Sequence, residues 1–367
     1  MGRFVTGILL MLFLAGGVMA QQTFPPRDGA MDLTPPDFKV EETGVWETSP
    51  RSTDFPFDEL VYSWNARLPR GQGFRLYLEL DFDEGETSPW MYAGFWGSAK
   101  PREEDIVTTF SHGGIKYDHL KLKKKAGAVR FRIVDEGGDP LTVRPSLHVV
   151  YTDNSPETEA MASPSDKKLM FPILDLPLRK QYDSSGEYVK NTCQSAALAS
   201  AMEYFGKEIR HEDIVKRVHD PEYDLMGIWP RVTAAASHFG FTAYIDRFRS
   251  WEDVRKAVTE NKVILASITM PEEGDYIAPP YSRMGGHIVA VNGVTDDGRV
   301  VVTDSALAKS GRGYQCQWLK LDFGKIWMKN KGGIGLVICP PDNAEMKLVK
   351  DLPPFPTRKR AERSEKK

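Results

Sequence analysis

The chain has 367 residues, long enough for two ordinary domains, since single hydrophobic cores stop growing at a few hundred residues. Its 41% hydrophobic and 27% charged residues and formal charge of -3 are those of a globular protein, and they exclude the strongly basic surface of a nucleic-acid or anionic-membrane binder. The cysteines, Cys193, Cys316 and Cys339, are odd in number, so an oxidising compartment leaves at least one thiol unpaired.

Residues 1–20 read as a signal peptide: Met1 and Arg3 are positive, Phe4 to Leu14 is an apolar run, and Val18-Met19-Ala20 is a small-residue cleavage site. The mature protein is expected to begin near Gln21 and to be secreted or periplasmic. No Cys follows the apolar run, so no lipid anchor is expected, and no later stretch approaches the roughly 20 apolar residues of a membrane span. Gly2 and Thr6 also fit a myristoylation pattern, but that modification needs a hydrophilic, retained N-terminus.

Residues 21–40 are rich in Pro and polar residues and are expected to be flexible. From 41 to 151 short strands follow one another between Gly, Pro and Asp clusters, with no helical period. Phe74, Leu76, Leu78, Leu80 and Phe82 alternate with Arg75, Tyr77, Glu79 and Asp81, and Val129, Phe131 and Ile133 with Arg130 and Arg132. Period two puts one face in a core and the other in water, so this segment is expected to be an all-β sandwich. Residues 152–169 are polar and proline-punctuated and read as a linker.

From 170 to 340 the texture is α+β. Leu198, Ala201, Met202 and Phe205 fall at helical spacing after Cys193, with Asn191 or Thr192 as N-cap and Gly206 just past the end. Further helices are expected over 229–239 and 251–260, the latter capped by Ser250, and strands over 241–248, 262–270, 287–294, 299–304, 314–318 and 334–339. Helices followed by strands on tight turns imply helices packed on an antiparallel sheet. Residues 341–367 form a Pro- and Lys/Arg-rich tail expected to be disordered.

Three residues in this half suit covalent chemistry. Cys193 stands in the first turn of its helix, where free N–H groups and the helix dipole favour a thiolate. His287 follows Gly285-Gly286 and opens a strand, and Asp304 ends the next one. A general base needs a partner on its other ring nitrogen. If Thr295 to Gly298 is a four-residue turn, Val294 pairs with Arg299, Asp304 falls opposite Val289, and Asp304 lies diagonal to His287. A two-residue turn at Asp297-Gly298 moves them out of reach unless a bulge intervenes. Each residue also has a plain structural reading: a buried thiol, a loop-edge imidazole and a strand-end cap.

The order of Gln181-Tyr182, Asn191-Thr192-Cys193, Ala196 to Ala199, Tyr204-Phe205-Gly206, Gly286-His287-Ile288-Val289-Ala290-Val291 and Val302-Thr303-Asp304 resembles the bacteriocin-processing, double-glycine peptidase-like family of the papain-like clan, particularly its exported stand-alone members. The resemblance runs from about Met170 to Pro340. It implies that Cys193 is the nucleophile, His287 the general base and then acid, and Asp304 the group that orients the imidazole. Gln181 is then a donor to the oxyanion hole, across a long loop from Asp183 to Lys190. Gln194 and Ser195 depart from the Gly and Pro usual in that family, and Gln194 threatens to crowd the substrate backbone. No phosphate-binding Gly-rich lysine motif is present, so the resemblance implies a reaction class rather than a transporter.

The expected function is hydrolysis of a peptide, protein or cell-wall peptide without metal or cofactor, the seven histidines lacking a shared ligand spacing. The alternative is a non-catalytic extracellular binding protein. In that reading Trp46, Trp64, Trp90, Trp96, Tyr92 and Phe95 of the sandwich contact glycan or protein.

Overall fold

A computed structural model describes residues 26–137, 139–155, 171–182, 189–272 and 274–352. The predicted signal peptide, most of the predicted linker, part of the loop after Gln181 and the end of the basic tail lie outside the described residues.

The first half is all strand apart from two short 3-10 turns. β1 (Arg27–Leu33), β2 (Phe38–Glu42), β3 (Val45–Thr48), β4 (Arg51–Asn65), β5 (Gly73–Asp81), β6 (Met91–Gly97), β7 (Thr109–Phe110), β8 (Gly113–Lys116), β9 (His119–Glu136) and β10 (Ser146–Asp153) form one ten-stranded antiparallel network. Its main path runs β1-β10-β4-β9-β3-β2, with β5 and β8 also paired to β9. The apolar alternation holds: Phe74, Leu76, Leu78 and Leu80, and opposite them Val129, Phe131 and Ile133, are sealed from solvent.

The second face of β5 departs from expectation. Arg75 is buried under the segment carrying Glu104 and the acid Glu222 from the second half, and Glu79 is buried against Arg130 of β9. Arg75 is held there by Glu104, Glu136 and Glu222, as a buried charge requires. The predicted flexible segment is also corrected: β1 pairs along the whole edge of β10 from Arg27↔Asp153 to Leu33↔Leu147, and Thr152 donates to Asp28 at 2.6 Å. An open sheet edge outweighs the polar composition of that segment. Trp64, Tyr92, Phe95 and Trp96 are core residues, and half-buried Trp90 stacks under Arg130 and Arg132, so the aromatic supply is spent on packing.

The second half places α1 (Cys193–Tyr204), α2 (His211–Val218) and α3 (Trp229–His238) ahead of β11 (Ala243–Arg247), α4 (Trp251–Thr259), β12 (Val263–Met270), β13 (Met284–Val294), β14 (Arg299–Thr303), β15 (Cys316–Leu319), α5 (Lys320–Gly324) and β16 (Ile334–Ile338). The strands form a six-stranded antiparallel sheet in the order β11-β16-β12-β13-β14-β15. Ser250 caps α4 as expected, accepting from the Asp253 N–H while Asp253 accepts back. Helix α2 was not foreseen, although acids in its first turn, bases in its last and Ile214 four residues before Val218 are a helical signature.

The predicted tail begins packed rather than disordered: the Asp175 and Val349 N–H groups donate to Lys347 and Ile173, and the Lys347 ammonium reaches the Tyr204 carbonyl at 2.7 Å. The two halves are joined by specific bonds. The Asn65 amide exchanges hydrogen bonds with the Ala243 backbone at 2.8 and 3.0 Å, Asp118 accepts from the Trp229 N–H at 2.7 Å, and Arg247 meets Glu59 at 2.7 Å. Among the described residues no helix is long and apolar enough to cross a membrane.

Candidate active site

α1 brings Cys193 to the edge of the sheet. Thr192 stands at the N-cap but its hydroxyl donates to the Val189 carbonyl at 3.0 Å, so Thr192 does not cap the first-turn N–H groups with its side chain. The helix behind is buried from Gln194 to Met202, which fixes its direction against β13. The thiol feels opposing influences. Burial raises its pKa, while the hydrogen bond and charge of His287 and the N–H groups of Ile288 and Gln194 lower it, and the net result lies below the ordinary 9.0.

His287 sits in β13, opposite Ile268 of β12, just after the exposed Gly285-Gly286. Its Nε2 lies 2.8 Å from Asp304 Oδ1, leaving Nδ1 as the ring atom for Cys193. Burial alone pushes the imidazole down; Asp304 and Cys193 reverse this and hold it at about 10. Asp304 has no exposed surface. Burial pushes its carboxyl up, but His287, the Tyr281 hydroxyl and the Ala306 N–H hold it below the usual carboxylate value. A thiol displaced downward beside an imidazole displaced upward favours the ion-paired form over the neutral one.

The expected juxtaposition of His287 and Asp304 is met by a different route. Val294 pairs with Val300 rather than Arg299, and the ladder then slips, pairing Val291 with Val302 and Ala290 with Thr303. The extra residue is Asn292, whose amide donates to the Leu174 carbonyl at 2.7 Å and accepts from Thr303 at 3.1 Å. This bulge restores the step that brings Asp304 level with Val289. Past the strand, the Asp304 N–H donates to the Gly313 carbonyl at 2.8 Å, and a Cβ at Gly313 would lie 2.3 Å from the Asp304 carbonyl oxygen. Only glycine fits that crossing.

The two residues after Asp304 hold the Gln181-Tyr182 pair. The Ser305 hydroxyl donates to Gln181 Oε1 at 2.6 Å, and the Tyr182 hydroxyl donates to the Ala306 carbonyl at 3.2 Å. All four sequence-predicted residues therefore converge on one region, Gln181 through Ser305. Gln194 is buried and turned back, its amide donating to the Asn191 carbonyl at 2.7 Å and its oxygen 3.5 Å from the Cys193 sulfur. Its side chain therefore lies at the helix mouth, beside the sulfur. All three cysteines are free thiols; burial and then Asp304 push Cys316 up to about 12, which keeps it protonated and unreactive. Tyr281 and Ser305 escaped the sequence reading: Tyr281 lies in an aperiodic loop, and Ser305 is an ordinary residue after a strand. Among the described residues no cluster of His, Cys, Asp and Glu has the arrangement of a metal site.

A thiol-bearing helix on an antiparallel sheet, with few helices, is here the framework of a cysteine peptidase. Residues 173–333 match the model of the Peptidase_C39 like family and residues 21–134 that of the Peptidase C39 N-terminal domain, so the chain carries a C39-like cysteine peptidase domain. Among solved structures, the peptidase domain of Streptococcus ComA, a bifunctional ABC transporter, is similar at 14% identity over 45% of this chain and 98% of its own, with a TM-score of 0.31. A double glycine motif protease from an AMS/PCAT transporter shares 15% over 49% and 100%, at 0.31, and a C39-like peptidase from Bacillus anthracis 12% over 46% and 98%, at 0.35. No curated protein matches the chain.

Proposed function

We propose that this chain is an exported thiol peptidase that cleaves peptide or other amide bonds through an acyl-enzyme on Cys193. The thiolate adds to the carbonyl carbon of the scissile bond, and the Cys193 N–H and the Gln181 side-chain amide receive the developing oxyanion. His287, holding the proton taken from the thiol, passes it to the leaving amine and the C–N bond breaks. A water molecule then gives a proton to His287 and its oxygen to the thioester, releasing the acid and returning the thiol. Asp304 keeps one imidazole tautomer and balances the imidazolium charge throughout.

One observation carries the reading: the buried contact of 2.8 Å between His287 and Asp304, on an imidazole whose other nitrogen faces Cys193. Substrates are peptides, proteins or cell-wall peptides, and residues 1–20 direct the chain to a secreted or periplasmic location, with the mature chain beginning at Gln21. We also read residues 41–151 as a sandwich-like domain, 152–169 as a linker, 170–340 as the peptidase domain and 341–367 as a tail. Support for a doubled-over first domain comes from contacts between strands that are not paired: Trp64 of β4 meets Phe74 of β5 edge-on at 6.1 Å, and the Tyr62 hydroxyl of β4 donates to the Ala93 carbonyl of β6 at 2.7 Å.

Iodoacetamide labelling of the folded, reduced protein at neutral pH tests the reading. Selective modification of Cys193 over Cys316 and Cys339, with loss of peptide hydrolysis in the labelled protein and in Cys193→Ala, is expected. Equal labelling of the three thiols would sink it.

A further inference from the structure

A further side chain reaches the site from a separate loop. Tyr281 belongs to the 271–283 connection between β12 and β13, and its hydroxyl donates to Asp304 Oδ2 at 2.7 Å. Its ring stands edge-on to His287 at 6.1 Å between centroids and lies 6.0 Å from Trp318. The connection has a second anchor: the carboxylate of wholly buried Asp322 accepts from the N–H groups of Ile277 and Ala278, at 2.8 Å each. Ile277 itself is 64% exposed, so the outer face of the loop meets solvent while its other end touches the acid.

We propose that Tyr281 is a positioning residue for catalysis, fixing the ionised Asp304 in the rotamer that holds His287. The proposal rests on the catalytic reading given above. Asp304 is sealed from water, and a buried carboxylate is tolerated only when its oxygens are paired. Oδ1 receives two donors, His287 Nε2 and the Ala306 N–H at 2.9 Å; Oδ2 receives, among the described residues, Tyr281 alone. Without that hydroxyl a charged, buried oxygen loses its donor. The carboxyl then takes up a proton more readily or turns toward another donor, and either change weakens the imidazolium and with it the thiolate. Burial and then the Asp304 charge push the Tyr281 hydroxyl far above its ordinary value, so it remains a donor across the working range.

The test uses the full chain and iodoacetamide as the probe of Cys193, so that it needs no identified substrate. Tyr281→Phe keeps the ring against His287 and Trp318 and removes only the donor. Its Cys193 alkylation rate at pH 6.5 is expected to fall about tenfold, with the midpoint of the rate against pH moving up by about one pH unit. In the double variant Tyr281→Phe with Asp304→Asn, losing the hydroxyl adds little to losing the acid, since both act through one carboxylate. An unchanged alkylation profile in Tyr281→Phe, with or without a lower Tm, overturns the proposal, because a purely structural ring leaves the profile where it was. Additive effects in the double variant overturn it as well. If Asp304→Asn alone leaves the profile unchanged, the catalytic reading itself fails; if Asp304→Asn shifts it and Tyr281→Phe does not, only the role of Tyr281 fails.

Discussion

Asp304→Asn removes one charge from the site and leaves the volume of the side chain in place. Three donors point at this carboxylate: His287 Nε2 and the Ala306 N–H at Oδ1, and the Tyr281 hydroxyl at Oδ2. An amide offers one acceptor oxygen and turns an NH2 group toward at least one of these donors, so His287 or Tyr281 loses its acceptor. Burial alone favours the neutral imidazole, and the Asp304 charge is the leading influence that lifts His287 from 6.5 to about 10. That interval is worth on the order of 5 kcal/mol net in favour of imidazolium, with Asp304 the largest favourable contribution set against burial. Losing about half of it in the transition state lowers kcat/KM about a hundredfold. The sign with pH is fixed as well. In the wild type the imidazolium keeps the thiol below its ordinary 9.0, so alkylation of Cys193 is fast at neutral pH. In the variant the imidazole is neutral there, and the midpoint of the alkylation rate moves up to the ordinary thiol range or beyond. The raised imidazole also stabilises the fold at pH values below its unfolded value near 6.5, a contribution lost as pH rises through about 10. The Tm deficit of the variant is therefore largest at neutral and mildly acid pH and shrinks in alkali. Iodoacetamide kinetics between pH 5 and 10 with a Tm series measure both. A variant alkylated at pH 6.5 within about threefold of wild type would refute the argument, since half of that net interval already demands far more.

Other perturbations have equally definite outcomes. Ser305→Ala removes a donor that orients the Gln181 amide, so kcat for peptide hydrolysis should fall several-fold, up to about tenfold, while KM changes little; steady-state kinetics decide. Asn292→Ala leaves the buried Leu174 carbonyl without its side-chain donor and Thr303 without its acceptor, costing about 1–3 kcal/mol in denaturant unfolding, with activity lost further if the bulge slips. At the joint between the halves, burial raises the Glu59 carboxyl but His119, Arg247 and Lys121 hold it well below its ordinary 4.5. Its contribution to stability is present above that value and lost as pH falls through the depressed one, so Glu59→Gln should lower Tm at pH 7 and match the wild type in strong acid.

How far the sequence carried the reading can be judged element by element. The helix opening at Cys193, the Ser250 cap and the strands around His287 and Asp304 all appear within about three residues of their expected bounds, because each is written in local periodicity and capping chemistry. The diagonal of His287 and Asp304 was foreseen for a four-residue turn, yet a shifted pairing at Val294 and a bulge at Asn292 deliver it together. Leu174, which accepts from Asn292 in this bulge, is distant in the chain from its turn, so no local rule reaches it.

By itself the sequence determined the order of Cys193, His287 and Asp304, the switch from strand texture to mixed texture, and the identity of the apolar faces, since side-chain type and spacing act within a few residues. Only the tertiary structure decided what covers each face. It buried Arg75 among acids contributed by both halves, zipped Arg27–Leu33 onto β10, and folded the start of the tail against Tyr204. It also set Tyr281 and Ser305 beside Asp304 and Gln181. These outcomes share one physical cause: a buried polar group must find its partner wherever the fold brings one, and that partner is chosen by distance in space rather than along the chain.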